Sequence, residues 1–268
     1  MKDYLLIIPA YNEEKAIGGV LSSIIAGGYL QLVDVLVVND ASSDDTADVV
    51  KSFEQVNLVT NIFNLGYGSS LQTGYRYALQ HNYKYILQMD GDGQHDTCNI
   101  QILIDALNSP DENGVYPDIV IGSRFLPGSK SFEISGLKKL SICFFRMLIK
   151  ATTKTRILDP TSGLQGLNRK AFPYYSVFRN FDNDYPDANM IIQMLMMGYK
   201  ISEVPSIMHK RVTGTSMHSG LIKPLLYMLM MPLNIFAVYM RQIKSKKEKN
   251  KQKVSSDNNK KEQQKVGV

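Results

Sequence analysis

Cysteine is scarce in this 268-residue chain: there are two, Cys98 and Cys143, isolated and in no metal-ligand spacing. That excludes a cysteine-based metal site and fits a reducing cytosol. The first strand-like run ends in Pro9-Ala10-Tyr11 rather than G-x-G-x-x-G. Gly66, Gly68 and Gly74 have the wrong spacing, so a dinucleotide-binding turn is excluded. There is no internal repeat, and Met1-Lys2-Asp3 leads straight into a strand pattern, so no signal peptide is expected. A net basic charge is absent from most of the chain. Ten of its 30 Lys/Arg but only three of its 25 Asp/Glu fall within residues 241–268, leaving twenty basic against twenty-two acidic residues before them. The pI of about 9.0 comes from the tail, so no nucleic-acid-binding surface is expected.

A long uninterrupted apolar run is also missing. Leu221–Met240 is mostly apolar but is broken by Lys223, Pro224, Pro232 and Asn234. A straight membrane span needs about twenty apolar residues, and prolines at these spacings kink a helix. The segment therefore reads as short helices lying in the cytoplasmic leaflet, followed by a basic, disordered tail that suits anionic headgroups.

The chain is 44% hydrophobic and 21% charged, ordinary for a globular protein with a sizeable core. Short apolar runs at Tyr4–Ala10, Val33–Asp40, 56–61, 84–90 and 117–125 read as buried strands. Between them lie segments with helical spacing and Ser or Asp at their starts. This alternation predicts an α/β fold, with a mostly parallel sheet and helices on both faces. A further helix is predicted over Leu137–Thr155, where apolar residues mix with Lys138, Lys139, Arg146, Lys150 and Lys154. Such a basic amphipathic helix is suited to a membrane interface.

Polar residues gather where the strands end, which is where ligands bind in such sheets. Tyr11 and Glu13 follow the first strand, Asp40 the second, Asp90 and Asp92 the fourth, Ser123 and Arg124 the fifth. The run "MDGDGQHD" raises an electrostatic question, because Asp90, Asp92 and Asp96 repel one another unless a cation lies between them. An EF-hand loop starting at Asp90 fails at His95 and Gln101, where Gly and Glu are required. A hard cation, Mg²⁺ or Mn²⁺, fits better: it takes one or two protein oxygens, here Asp92 and Gln94, and completes its shell with water and phosphate oxygens. His95 and His209 read as hydrogen-bonded scaffold.

The segments "IIPAYNEE", "VVNDASSDDT", "NLGYGSSLQTG", "MDGDGQHD", "IGSRF", "DPTSGLQGLNR" and "EVPSIMHKRVTGTSM" resemble, in this order, the motifs of family 2 glycosyltransferases. The similarity is to the branch of dolichol-phosphate mannosyltransferase and bacterial polyprenyl-phosphate glycosyltransferases, and it covers about residues 4–217. It implies a GT-A fold, a UDP- or GDP-sugar donor, inversion at the anomeric carbon and a polyprenyl phosphate acceptor. By resemblance, Pro9, Tyr11, Glu13, Asp40, Asp90 and Arg211 serve the nucleotide-sugar, with Arg211 clamping phosphate. Asp92 and Gln94 hold Mg²⁺ or Mn²⁺, and Ser123 and Arg124 meet the acceptor phosphate. Asp159 and Asp90 face the reacting centre.

Met217 stands where relatives often carry lysine, and Gln165 where Arg or an aromatic residue is frequent. The organisation expected is a catalytic domain over 1–217, a membrane-associated segment over 218–243 and a basic tail over 244–268, on the cytoplasmic face of the cell membrane. Expected partners are the nucleotide-sugar, the lipid phosphate, the membrane surface and a second copy or a small membrane protein. Two rival readings are a glycosyltransferase acting on a glycan hydroxyl and a non-catalytic nucleotide-sugar-binding homologue.

Overall fold

The computed structural model describes residues 2–132, 134–183, 186–210 and 232–240. Its elements run β1 (Tyr4–Ala10), α1 (Ile17–Ala26), β2 (Val33–Asn39), α2 (Thr46–Lys51), β3 (Val56–Thr60), α3 (Tyr67–Gln80), β4 (Tyr85–Gln88), α4 (Asn99–Leu107) and β5 (Ile119–Ser123). They continue with α5 (Gly136–Thr153), β6 (Gln165–Asn168), α6 (Phe172–Tyr175), α7 (Ala188–Met196) and β7 (Ile201–Pro205). A last helix, α8, covers 232–240.

The strands form one sheet in the order β3-β2-β1-β4-β6-β5-β7. All neighbours are parallel except β6, which runs antiparallel to both β4 and β5. Buried side chains alternate between the faces, as the pleat requires. Leu5, Ile7, Leu36 and Val38 join the apolar cluster that also holds residues of α3, α5, α6 and α7. Leu6, Ile8, Val35 and Val37 join the cluster that holds residues of α1, α2 and α4. A mostly parallel sheet with helices on both faces is thus what the chain forms.

Pro9 sits inside a central strand, which needs an explanation, since proline cannot donate to a ladder. The β1–β4 pairing ends at Ile7 opposite Gln88, while β1–β2 pairing runs on to Ala10 opposite Asn39. Pro9 therefore lies past the last β4 partner, where no ladder bond is lost on that side.

Three elements depart from the sequence reading. The short strand β6 and the edge strand β7 were not foreseen. QGLN lacks a period-two apolar pattern and is a strand because β4 and β5 supply partners on both sides. The predicted basic helix exists as α5, but its inner face is core: Ile142, Phe145 and Ile149 are buried. Its outer face exposes Leu140 and Met147 beside Lys139, Lys150 and Lys154.

Among the described residues, no helix is long and apolar enough to cross a membrane. Of the expected C-terminal helices, residues 218–231 and 241–243 lie outside the described residues, as does the predicted tail. Helix α8 docks on the catalytic core. Ile235 and Val238 are buried, and Asn234 donates a hydrogen bond of 2.9 Å to Asp182. Leu233, Phe236 and Met240 are exposed.

Candidate active site

The loops after β1 and β2 are stitched together at the carboxyl edge of the sheet. Asn12, in the left-handed region at φ 55°, donates its N–H to the Ser42 hydroxyl and accepts from the Ser43 N–H at 2.8 Å. The Glu13 N–H donates to the Thr46 hydroxyl at 2.8 Å. This scaffold leaves Tyr11 48% exposed, its ring free to cover a flat ligand, next to buried Pro9.

Asp40 has a structural task that the sequence does not reveal. Its carboxylate is 3% exposed and accepts from Asn61 Nδ2 at 2.8 Å, the Leu65 N–H at 3.0 Å and the Gly66 N–H at 2.8 Å. It folds the 61–66 loop under the start of α3. Most of its acceptor capacity is used inside the protein, so little remains for a ligand.

The acidic turn follows β4. Asp90 is held by the Tyr67 hydroxyl, which donates to Oδ1 at 2.9 Å, and lies 3.4 Å from His95 Nε2. Burial, and then the Asp90 charge, push the Tyr67 hydroxyl well above its ordinary range, so it remains a donor. Gly163 presses on this pair: a Cβ there would lie 2.9 Å from the Tyr67 hydroxyl and 3.0 Å from Asp90 Oδ2. Asp92 accepts from the Gln94 N–H at 3.0 Å across a turn in which Gly93 takes φ +76°. His209 Nε2 contacts Asp96 Oδ2 at 2.8 Å, and its backbone N–H donates to the Gln94 carbonyl at 2.7 Å, whereas buried His95 has only the Asp90 contact and leaves its Nδ1 without a hydrogen-bond partner.

Among the described residues, no group of three or more His, Cys, Asp or Glu side chains is arranged to hold a metal. The donor set of one carboxylate and one amide oxygen still fits Mg²⁺ or Mn²⁺. Those ions keep several waters and substrate phosphates in their shells rather than demanding an all-protein cage.

Across β6 from the acidic turn, β5 ends in Ser123 and is followed by Arg124. Arg124 is clasped by Asp159: Nε to Oδ2 at 2.7 Å, Nη2 to Oδ1 at 2.6 Å, and its backbone N–H to Oδ2 at 2.9 Å. Nη2 also donates to the Thr161 hydroxyl at 2.8 Å. Asp159 is 0% exposed and Arg124 9%. Burial would lower the Arg124 pKa, but the bonds and charge of Asp159 more than offset it and hold it above the ordinary value. Ser123 is fully buried, and its hydroxyl accepts from the Phe125 N–H at 3.4 Å. It therefore supports the site from within rather than lining its mouth.

Lys138, on the first turn of α5, was not singled out as a site residue. Lys138 is exposed, yet the protein packed around it, and then the positive charge of Arg124, lower its pKa, while Asp159, Asp187 and Asp90 act in the other direction. Those charges stand after β5 (Arg124), before β6 (Asp159), at the N-cap of α7 (Asp187) and after β4 (Asp90), so Lys138 lies within electrostatic reach of all four. The signal available in the sequence was a lysine just after Ser135, whose hydroxyl caps α5. Arg211 and Met217 lie outside the described residues.

A seven-stranded mixed sheet of this order, with its polar groups at the carboxyl edge, defines a protein of the GT-A class. A profile of the family described as "Glycosyl transferase family 2" matches residues 5–175, and the chain belongs to this family. It is a glycosyltransferase. A dolichyl-phosphate beta-glucosyltransferase of Trichomonas vaginalis is 29% identical over 239 residues, covering 81% of this chain and 67% of the relative. An undecaprenyl-phosphate mannosyltransferase of Micrococcus luteus is 26% identical over 221 residues, covering 81% and 87%. The crystal structure of glucosyl-3-phosphoglycerate synthase from Mycobacterium tuberculosis with Mn²⁺, uridine diphosphate and phosphoglyceric acid superposes with a TM-score of 0.63. It has 18% identity and covers 89% of this chain and 78% of that one, a likeness that shows the fold alone.

Proposed function

We propose that the protein transfers a sugar from a UDP- or GDP-sugar to a polyprenyl phosphate, with inversion, at the cytoplasmic face of the membrane. One observation carries the choice of acceptor: both oxygens of Asp159 are bonded to Arg124 in a buried pair. A carboxylate held in this way is a poor base for a hydroxyl acceptor. A phosphate monoester needs no base, because its second pKa near 6 leaves it largely dianionic at neutral pH. It needs positioning and positive charge, and Arg124 and Lys138 supply both.

In this reading Pro9, Tyr11, Glu13 and Arg211 take the nucleotide, with Asp40 acting through the loop it folds. Asp90, oriented by Tyr67, faces the donor sugar. Asp92 and Gln94 would hold Mg²⁺ or Mn²⁺, which supplies charge neutralisation for the departing diphosphate. An acceptor phosphate oxygen forms the new bond to C1 as the bond from C1 to the diphosphate oxygen breaks. Asp159 keeps Arg124 aimed, while Ser123 braces the same region from inside the fold. The relatives named for dolichyl and undecaprenyl phosphate support this acceptor class.

The lipid end of the acceptor calls for an apolar surface nearby. The exposed Leu140 and Met147 of α5, flanked by lysines, and the exposed Leu233, Phe236 and Met240 of α8 offer one. Basic flanks favour an anionic membrane at about 1 kcal/mol per charge near the surface. The test is to incubate the protein with UDP- and GDP-sugars and undecaprenyl phosphate in liposomes, then identify the lipid product by mass. Transfer to hydroxyl acceptors with none to lipid phosphate would overturn the proposal.

A further inference from the structure

Strand β7 closes the sheet beside the acceptor side of the cleft, and one of its residues reaches into the scaffold of that cleft. We infer that Glu203 is a positioning residue, whose carboxylate fixes the main chain of Leu158 and Asp159 and thereby aims the Asp159–Arg124 pair at the acceptor. The inference rests on the role given to Arg124 under the proposed function.

The geometry is specific. In the β5–β7 ladder Glu203 lies opposite Ile121, two residues before Ser123. Its Oε2 accepts from the Leu158 N–H at 2.7 Å and its Oε1 from the Asp159 N–H at 2.7 Å. The same peptide is held on its other side. Arg146 of α5 donates from Nε to the Leu158 carbonyl at 2.6 Å, and its guanidinium lies 4.3 Å from the ring centroid of Phe125, the neighbour of Arg124. The backbone carrying Asp159 is thus pinned from β7 and from α5.

The residue type matters. The Leu158 and Asp159 N–H groups each bond a different oxygen, and a carboxylate offers two acceptor oxygens with no donor of its own. A glutamine could satisfy one N–H, but its own NH₂ would face the other. Burial, together with the nearby Asp159 charge, makes this carboxylate expensive to keep ionised, and its pKa lies above the ordinary value despite the two N–H donors. A purely structural site would be served by an apolar residue and a differently folded loop. The carboxylate is explained if the aim of Asp159 is what it secures.

The test is Glu203→Gln in the full-length protein. Reversing one hydrogen bond should raise the KM for lipid phosphate about tenfold, while kcat and donor KM move less than about threefold. In an Arg124→Met background the same substitution should add nothing further to acceptor KM, since the effect travels through Arg124. A generic structural defect would instead add in both backgrounds and raise donor and acceptor KM alike, which would overturn the inference.

Hydrogen exchange gives a readout that needs no acceptor. The Leu158 and Asp159 amides should lose protection in Glu203→Gln, while the β5–β7 ladder keeps its own. Unchanged exchange at those two amides overturns the inference even if the wild type proves to use another acceptor. Loss of protection in a protein that ignores lipid phosphate would sink the acceptor reading and leave the backbone role standing. Should Glu203→Gln not fold, Arg146→Met removes the opposite pin and should show the same acceptor-specific split.

Discussion

Arg124 and Asp159 form a two-pronged ion pair sealed from solvent, with Nε–Oδ2 at 2.7 Å and Nη2–Oδ1 at 2.6 Å. Each charge is intelligible only through the other. Asp159 offsets part of the cost of burying a guanidinium beside β5, and both of its oxygens are committed to Arg124.

Breaking that pair leaves a buried charge without its counterpart. Asp159→Asn should destabilise the protein by about 3–5 kcal/mol in urea unfolding and abolish most transfer. The double variant Arg124→Met/Asp159→Leu should recover much of the stability and none of the activity. Recovery of both would remove the pair from the reaction.

Asp92 and Gln94 are tested by metal. Asp92→Ala should remove most transfer, weaken Mn²⁺ binding measured by titration calorimetry, and leave the unfolding midpoint within about 0.5 kcal/mol of wild type, as befits a partly exposed side chain. Full activity in excess chelator would refute the metal role.

Asp90 depends on what crowds it. Gly163→Ala would bring a Cβ to 2.9 Å from the Tyr67 hydroxyl and 3.0 Å from Asp90 Oδ2, so one of them must move. Tyr67→Phe removes the donor without crowding. Each should lower kcat/KM for the donor by about tenfold, the value of one oriented hydrogen bond in a low-dielectric cleft. If Gly163→Ala alone is harmful, the clash rather than the hydrogen bond is at fault.

A pH signature should come from the opposite end of the sheet. Partial burial alone would raise the Asp34 pKa, but hydrogen bonds from Lys2 and from the Tyr83 hydroxyl more than offset it, so the folded-state value lies below the usual range. The carboxylate contributes stability above its unfolded pKa of about 4, and that contribution is lost as pH falls through the folded value. Asp34→Asn should therefore unfold at a lower temperature than wild type at pH 7, and the gap should close in acid. A gap independent of pH would mean that the ion pair with Lys2, 2.9 Å long, contributes nothing.

Much of the site was legible because its chemistry sits in short segments at strand ends. Asp90, Asp92 and Gln94 share one turn, and the β-strand before them is an apolar run that any reading detects. Asp40 was rightly located at a strand end, but the three donors that occupy it come from the 61–66 loop, whose path the sequence does not disclose. Lys138 looked like one of several basic residues on an amphipathic helix. Its place in the cleft depends on where α5 begins relative to β5.

The α/β alternation, the two-faced core and the identity of the groups at the carboxyl edge are written in the chain itself, because they follow from local periodicity and from the strand-end rule. The tertiary structure decided which of those groups pair. Asp159 meets Arg124 across 35 positions, and Glu203 meets Asp159 across 44. Both contacts arise because β6 inserts antiparallel between β4 and β5 and β7 adds to the far side. No local propensity encodes that order. It is selected by burial of both sheet faces at once, and only then does a buried carboxylate find the cation and the peptide N–H groups that make its burial tolerable.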